Sequence, residues 1–409
     1  MRTGGDMFWR YWAAGAISQV GTGVTAVALP LVAVTVLGAS AFEVGLVAAA
    51  SYAAWILIGL PAGVIVRRLP LRGTQVAMDL VRTAAIGSIP LAWWLGELTL
   101  VHLIAAALVI SLANVVFDVG NATFLPSIVA KEELTARNSL ISATHSTTQM
   151  GGPGLGGLLV QLLGAVPTLL VDAVSFLVSA ALLRKLPPGS APAPVAAEPM
   201  MTQIRDGLRF VLRHPVMRPC VAGATSGNFV SGALMALVPV FLVRDLGAAP
   251  AVVGLLVAFD GVGALIGATF ATRLITAVGS ARAILAASTV EAVLGLLQPA
   301  GFGIWGMVLF AVGHAGMSAG VVVFSIATRT HRQVASPPEL LSRVMATVRF
   351  VSWGAIPIGA LAAGTVATAL GTRATLWMFC AVSFLAPLTL WFSQVRRLRD
   401  LAEEPALAL

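Results

Sequence analysis

The sequence predicts an all-α membrane protein of twelve transmembrane helices, arranged as two pseudo-symmetric six-helix bundles. Three observations carry this reading: the chain is too apolar for water, its apolar stretches recur at span length, and its second half repeats its first. Of the 409 residues, 58% are hydrophobic and 10% charged, and the mean hydropathy is +0.93. A soluble domain is about half apolar and about a quarter charged. Too few charges remain to cover a water-facing surface, which argues against a soluble enzyme. About 20 apolar residues cross a bilayer as a helix, so twelve spans use about 240 residues and leave short loops.

The apolar stretches fall at about 11–37, 44–66, 74–95, 100–129, 138–163 and 166–184, then at about 216–243, 251–272, 281–301, 304–328, 344–369 and 372–393. The opening MRTGGDMFWRYW runs straight into a full span and therefore reads as no cleavable signal. This places an N-terminal bundle at 1–185, a cytoplasmic linker at 186–214, a C-terminal bundle at 215–395 and a tail at 396–409. The linker opens with the Pro/Ala-rich LPPGSAPAPVAAEPM. It continues with Arg205, Arg209 and Arg213 every four residues, opposite Ile204, Leu208, Val211 and Leu212. That is the pattern of a basic amphipathic helix lying on a membrane surface, or of a solvated linker helix. Cys220 and Cys380 lie far apart within apolar segments and read as buried hydrophobes, not as a disulfide or metal pair.

The net charge of +8 would suggest a nucleic-acid partner in a soluble chain. Its placement argues otherwise. With both termini in the cytoplasm, 22 of the 25 basic residues fall at or just inside cytoplasmic loops and tails; Arg244 and Arg373 fall outside and Arg349 within a span. Such asymmetry orients a multi-pass protein in the cell membrane and accounts for the basic balance through membrane lipid, without nucleic acid. A monomer is expected.

The internal repeat comes next. A shift of 209 residues lays Gly23 on Gly232, Pro30 on Pro239, Leu37-Gly38-Ala39 on Leu246-Gly247-Ala248, and Val44-Gly45-Leu46 on Val253-Gly254-Leu255. Later the register slips, so that Arg137 meets Arg343 at 206 and Pro153 meets Pro357 at 204. Six spans return the chain to its starting side, so the halves are parallel copies, as in transporters whose halves rock about a central site.

Ionisable groups inside spans are costly, at least about 2.5–3.5 kcal/mol at mid-bilayer on insertion scales, and so are candidates for function. They are Asp118, His145, Asp172, Asp260, Glu291 and Arg349. Asp118, flanked by Asn114 and Asn121, is expected to bind a proton or substrate. Asp172 either does the same or braces its helix near the outer face. Asp260 is a further proton-coupling candidate, and Glu291 is one for which structural pairing is the favoured reading. His145 and Arg349 each precede the repeat-matched proline by eight residues, so they are pseudo-equivalent and could hold an anionic or polar substrate together or pair with Asp118, while for His145 alone a satisfied hydrogen-bonded histidine is the favoured reading. Arg349 cannot shed its charge and calls for an acidic partner or an anionic ligand. Gln19 and Asn228 match across the repeat and offer amides either to a ligand or to helix packing.

The cluster MGGPGLGG at 150–157 bends the fifth span at Pro153, while Gly152, Gly156 and Gly157 leave a smooth face for close helix approach. The order Gly152-Pro153-x-x-Gly156-Gly157 resembles the antiporter motif of drug-exporting major facilitator proteins. With LPSIVAKEELTARNSL, DAVSFL and DGLRFVLRHP, the whole chain resembles the siderophore (enterobactin-type) and macrolide exporter branch of that superfamily. The resemblance implies the major facilitator fold and export of a small amphipathic molecule by alternating access, in exchange for protons. The family's loop 2/3 signature is only partly present. Gly63, Arg68 and Arg72 fit, but Arg67 stands where the family has a gating acid and Pro70 where it has glycine; Asp79, with Arg82 one turn on, could compensate. An importer or facilitator of a nutrient or lipid would share every topological feature. The sequence holds no HExxH, Cys/His cluster or phosphate loop, so neither an enzyme nor a metal or other cofactor is expected.

Overall fold

The computed structural model describes residues 4–59, 61, 62, 66, 69–129, 133–187 and 200–401. Gly63, Arg67 and Arg68 lie outside the described residues. The first half forms helices α1 (Gly4–Leu31), α2 (Ala41–Leu57), α3 (Leu71–Trp94), α4 (Leu100–Ile128), α5 (Leu134–Leu163) and α6 (Ala165–Arg184). The linker contributes α7 (Met200–Arg213). The second half forms α8 (Met217–Val240), α9 (Pro250–Val278), α10 (Ser280–Gly295), α11 (Gly303–Ala335), α12 (Pro338–Leu370), α13 (Thr372–Val382) and α14 (Leu385–Trp391). Nine of the described helical segments are long and apolar enough to cross a membrane, and α2 is a shorter apolar helix. The last expected span is broken between α13 and α14. Pro387 has no N–H to donate to the Ser383 carbonyl, and its ring crowds that carbonyl, so one turn of helix is lost.

The chain divides into two compact units, one of Met1–Ala196 with Ala248–Ala258 and one of Ala197–Gly247 with Phe259–Leu409. Helix α7 therefore belongs to the second unit. The internal repeat is reproduced in backbone detail. Helix α1 ends in a π turn at Val32–Val36, closed by the Leu37 amide donating to the Val32 carbonyl at 3.1 Å; α8 ends in one at Phe241–Asp245, closed by Leu246 to Phe241 at 3.0 Å. Both π turns start two residues after the matched prolines Pro30 and Pro239. Each is followed by a glycine in the left-handed region, Gly38 at φ +65° and Gly247 at φ +63°, where a side chain would be strained.

In unit 1, α1 packs on α5 and α6, α3 on α4 and α6, and α2 on α4. The α1–α5 contact rests on glycine. A Cβ on Gly152 would lie 2.9 Å from the Gly23 Cα, one on Gly156 would lie 2.9 Å from the Val24 carbonyl oxygen, and one on Gly157 would lie 2.6 Å from the Gly254 Cα in the first turns of α9, which belong to the same unit. The sequence motif is thus a surface of close helix approach, as small residues provide in membranes.

In unit 2, α8 packs on α12 and α10 on α11. A Cβ on Gly232 would overlap the Ile356 backbone, and one on Gly359 the Phe229 backbone. Helix α7, read from sequence as lying on a membrane surface or solvated, instead docks along α12: Arg343 donates to Asp206 at 3.1 Å, Gly207 abuts the Arg343 and Thr347 backbone and side chain, and Val211 is buried. The chain turns into α8 at His214, whose Nδ1 accepts from the Val216 and Met217 amides, both at 3.3 Å. Both cysteines are buried free thiols.

Two outcomes are expected. Gly152→Ala should cost about 1–3 kcal/mol of stability through forced separation of α1 and α5. The neighbouring Gly151→Ala, which meets nothing within 4 Å, should be neutral; unfolding of the full chain in micelles compares them. Burial holds the His214 imidazole below its ordinary value of 6.5 and keeps it neutral in the fold. The unfolded chain then binds the extra proton, so stability should be level above about pH 6.5 and fall as pH drops below it. His214→Asn should flatten that fall in melting curves between pH 5 and 8.

Candidate functional site

Three carboxylates of unit 1 lie near one guanidinium. Arg82 lies on the face of α3 that also carries Gln75 and Asp79, because positions four and three apart share a helix face. It is buried at 4% exposure and forms an ion pair with Asp79, itself fully buried. Its other terminal nitrogen donates to the Asn114 side-chain oxygen on α4 at 3.0 Å. The guanidinium plane is sandwiched by two aromatic rings, Phe117 of α4 at 4.0 Å and Phe176 of α6 at 4.4 Å. Flat, delocalised and weakly hydrated, arginine suits such a slot, and the rings add cation–π attraction in a desolvated place.

Two more carboxylates lie within electrostatic reach of this cation, Asp118 and Asp172. Asp118 follows Phe117 on α4 and is exposed at the unit's surface. Asp172 of α6 is buried, and its carboxylate accepts from Thr25 Oγ1 of α1 at 2.6 Å and from Ser175 Oγ at 2.9 Å. Gly21 permits the approach, since a Cβ there would overlap the Asp172 carboxylate. Ser179 of α6 stands beside Asp79, and Gln75 donates to the Phe117 carbonyl at 2.9 Å. One acid therefore pairs with the buried cation directly, and two from other helices act on it through space.

Next to this cluster lies a crevice of about 20 Å³, room for about one water, lined by Tyr11, Trp12, Gln19, Asn121 and Thr144 among others. Tyr11 donates to the Asn121 side chain, Trp12 Nε1 to Thr144 at 2.9 Å, and Thr148 Oγ1 to the Gln19 side-chain Oε1 at 3.2 Å. Gln19 is thus engaged in helix contact with α5. His145, three residues earlier, is exposed. Arg72 donates to the Leu186 carbonyl at 2.8 Å, tying the start of α3 to the end of α6.

Unit 2 disperses its candidates. Asn228 turns back to the Ala224 carbonyl of its own helix at 3.0 Å. Arg349 is exposed, with its guanidinium 4.3 Å from the Trp353 ring. Glu291 is buried at 5% exposure against Gly320 and near Gly227, and no ion pair to it is found among the described residues. Asp260 is exposed and within electrostatic reach of His314, a residue the sequence reading passed over. His314 stacks on Phe310 at 5.1 Å and its buried Nδ1 has no hydrogen-bond partner among the described residues. The rule that singled out the other intramembrane ionisable groups applies equally to it. Among the described residues no His, Cys, Asp and Glu group could hold a metal ion.

Helices of span length, a twofold repeat and a buried acid–base cluster define a multi-pass membrane transporter. The description "Transmembrane secretion effector" matches residues 4–408, and the chain belongs to that family of the major facilitator superfamily. It is 30% identical over 298 residues to an MFS-type transporter of Sinorhizobium fredii, covering 72% of each chain. It is 26% identical over 408 residues to the multidrug efflux pump Tap of Mycolicibacterium fortuitum, covering 94% of this chain and 95% of that one. The crystal structure of nucleoside transporter NupG superposes with a TM-score of 0.79 at 10% identity, covering 94% of this chain and 98% of that one, a likeness of fold. The two six-helix bundles read from the sequence are those of the major facilitator fold.

Removing one member of the buried pair should strand the other. Arg82→Gln or Asp79→Asn should each cost about 3–5 kcal/mol, and the double variant much less than their sum. Arg82→Lys should not restore wild-type stability, because an ammonium lacks the planar fork that fits between Phe117 and Phe176. A double-mutant cycle on unfolding in micelles checks this, and additive losses would count against the pairing.

Proposed function

We propose that this protein exports a small amphipathic molecule across the cell membrane in exchange for protons, and that the proton is carried by the acids around Arg82. The observation that carries the proposal is the charge count at this cluster. Asp79 neutralises Arg82 directly, and Asp118 and Asp172 then compete for the same cation. Asp172 is buried, so its ionised carboxylate beside the already paired Asp79 would leave an unbalanced charge in a poorly solvated place, where it is costly. Protons supply the balance. Asp172 has hydroxyl donors alone as direct partners among the described residues, while Asp118 is exposed and acts on the same cation from the unit's surface.

The energetics suffice. One proton charge moving down 100 mV releases about 2.3 kcal/mol, enough for about a fifty-fold concentration ratio. Export is supported by the Gly152-Pro153-x-x-Gly156-Gly157 surface and by likeness to a protein named a multidrug efflux pump. The distribution of basic residues favours both termini in the cytoplasm. A single chain is taken as the working unit, with the small molecule and protons as its partners.

The test is efflux of a dye panel beginning with ethidium from proteoliposomes under an imposed pH gradient. Asp118→Asn should reduce gradient-driven transport at least about tenfold while sparing exchange without a gradient, and Asp172→Asn should shift its pH dependence. Gradient-driven efflux unchanged in Asp118→Asn would remove that residue from the coupling.

A further inference from the structure

We propose that unit 2 carries a binding groove for an anionic phospholipid, walled by its own helices and roofed by α7. The groove is about 690 Å³ and is walled by Ala222 and Phe229 of α8, Val351 and Ile358 of α12, and Leu385 of α14, with Arg218 at one end. Leu208 and Leu212 of α7 close that same end.

The walls accept hydrocarbon. The hydroxyls that line the groove on α8 and α14 are spent on their own helices, Thr225 donating to Val221 at 2.7 Å, Ser226 to Gly223 at 2.9 Å and Thr389 to Ala386 at 2.8 Å. A polar solute would find little to bind there. Ile358 and Leu385 are 58% and 49% exposed, which water would penalise and lipid does not. The groove also faces away from the polar side of α12. At about 100° per residue, its lining positions on that helix point roughly 150° from Arg349. From Arg218 to Phe229 the groove follows α8 for about 16 Å, close to the roughly 15 Å depth of one leaflet's hydrocarbon.

The end of the groove accepts an anion. Arg218 is exposed and lines the groove, and Arg205, Arg209 and Arg213 form an exposed row along α7, beside the face of that helix that lines it. The acid on this helix, Asp206, is paired with Arg343 at 3.1 Å and does not offset that row. Basic groups beside a cytoplasmic-side crevice between spans suit a phosphate headgroup. An acyl chain in the slot with its phosphate at Arg218 satisfies both halves, and it would hold α7 against α8 and α12.

Native mass spectrometry of the delipidated full chain, titrated with phosphatidylglycerol or phosphatidylcholine, tests this. One phosphatidylglycerol should be retained per chain, at least about tenfold more tightly than phosphatidylcholine. Arg218→Gln should abolish that preference. Ala222→Trp, which fills the slot from an exposed position, should abolish retention of either lipid. Arg282→Gln, an exposed arginine on α10 away from the groove, should change nothing. Equal retention of the two lipids, or unchanged retention in Arg218→Gln, would overturn the anionic site. Loss in Arg218→Gln without loss in Ala222→Trp would place the lipid elsewhere and overturn the groove. Should Ala222→Trp fail to fold, the lipid comparison and Arg218→Gln still decide.

Discussion

Burial of the Arg82 guanidinium is the constraint on which unit 1 depends. A permanent cation with 4% exposure inside an apolar bundle is tolerable only with an anion, further hydrogen-bond acceptors and polarizable surfaces around it. The structure supplies the anion, one further acceptor and two aromatic surfaces from three helices: Asp79 one turn earlier on α3, Asn114 and Phe117 from α4, and Phe176 from α6, with Arg82 Nε and Asp79 Oδ2 left without a hydrogen-bond partner among the described residues. Meeting that requirement fixes how α3 sits against α4 and α6. Through Asp172, held by Thr25, it also fixes how α6 sits against α1. Small residues at Gly21, Gly23 and Gly152 then let the backbones close to the distances those contacts require.

The same constraint makes the cluster responsive. Once Asp79 is spent on the cation, any further carboxylate close by is either protonated or in competition for Arg82. Asp118 and Asp172 stand in that position on different helices, one exposed and one buried. A change in their proton occupancy alters the force on an arginine that joins three helices. In this way a local charge event would gain leverage on helix packing, which the proposed proton exchange requires.

Much of the architecture was legible because it follows from solvent and period. Apolar length gave the spans, the 209-residue shift gave the repeat, and the repeat returned as two matching π turns with their left-handed glycines. The pairing of Asp79 with Arg82 was legible as an i, i+3 spacing. What was not legible joins distant segments. Nothing local to Phe117 or Phe176 announces that an arginine 35 or 94 residues earlier lies between their rings. Nothing in the amphipathic pattern of α7 says that Gly207 and Asp206 dock it on α12 instead of on a lipid surface, since both places reward the same apolar stripe. Gln19 and Asn228 match in sequence yet bond differently, one across to Thr148 and one to its own helix, because neighbouring side chains and not the repeat decide an amide's partner.

The central claim, that the acids sharing Arg82 hold an exchangeable proton, is tested most directly by infrared difference titration of the full chain in lipid vesicles. The carbonyl stretch of a protonated carboxylic acid is read there with no need for a transported substrate. A protonated-carboxyl band should grow on acidification and disappear on alkalinisation, and the part of it that belongs to the cluster should be missing or shifted in Asp172→Asn, measured in a Glu291→Gln background that removes the buried acid named above outside the cluster. A band identical in wild type and in both Asp118→Asn and Asp172→Asn, or no such band at any pH, would contradict the account.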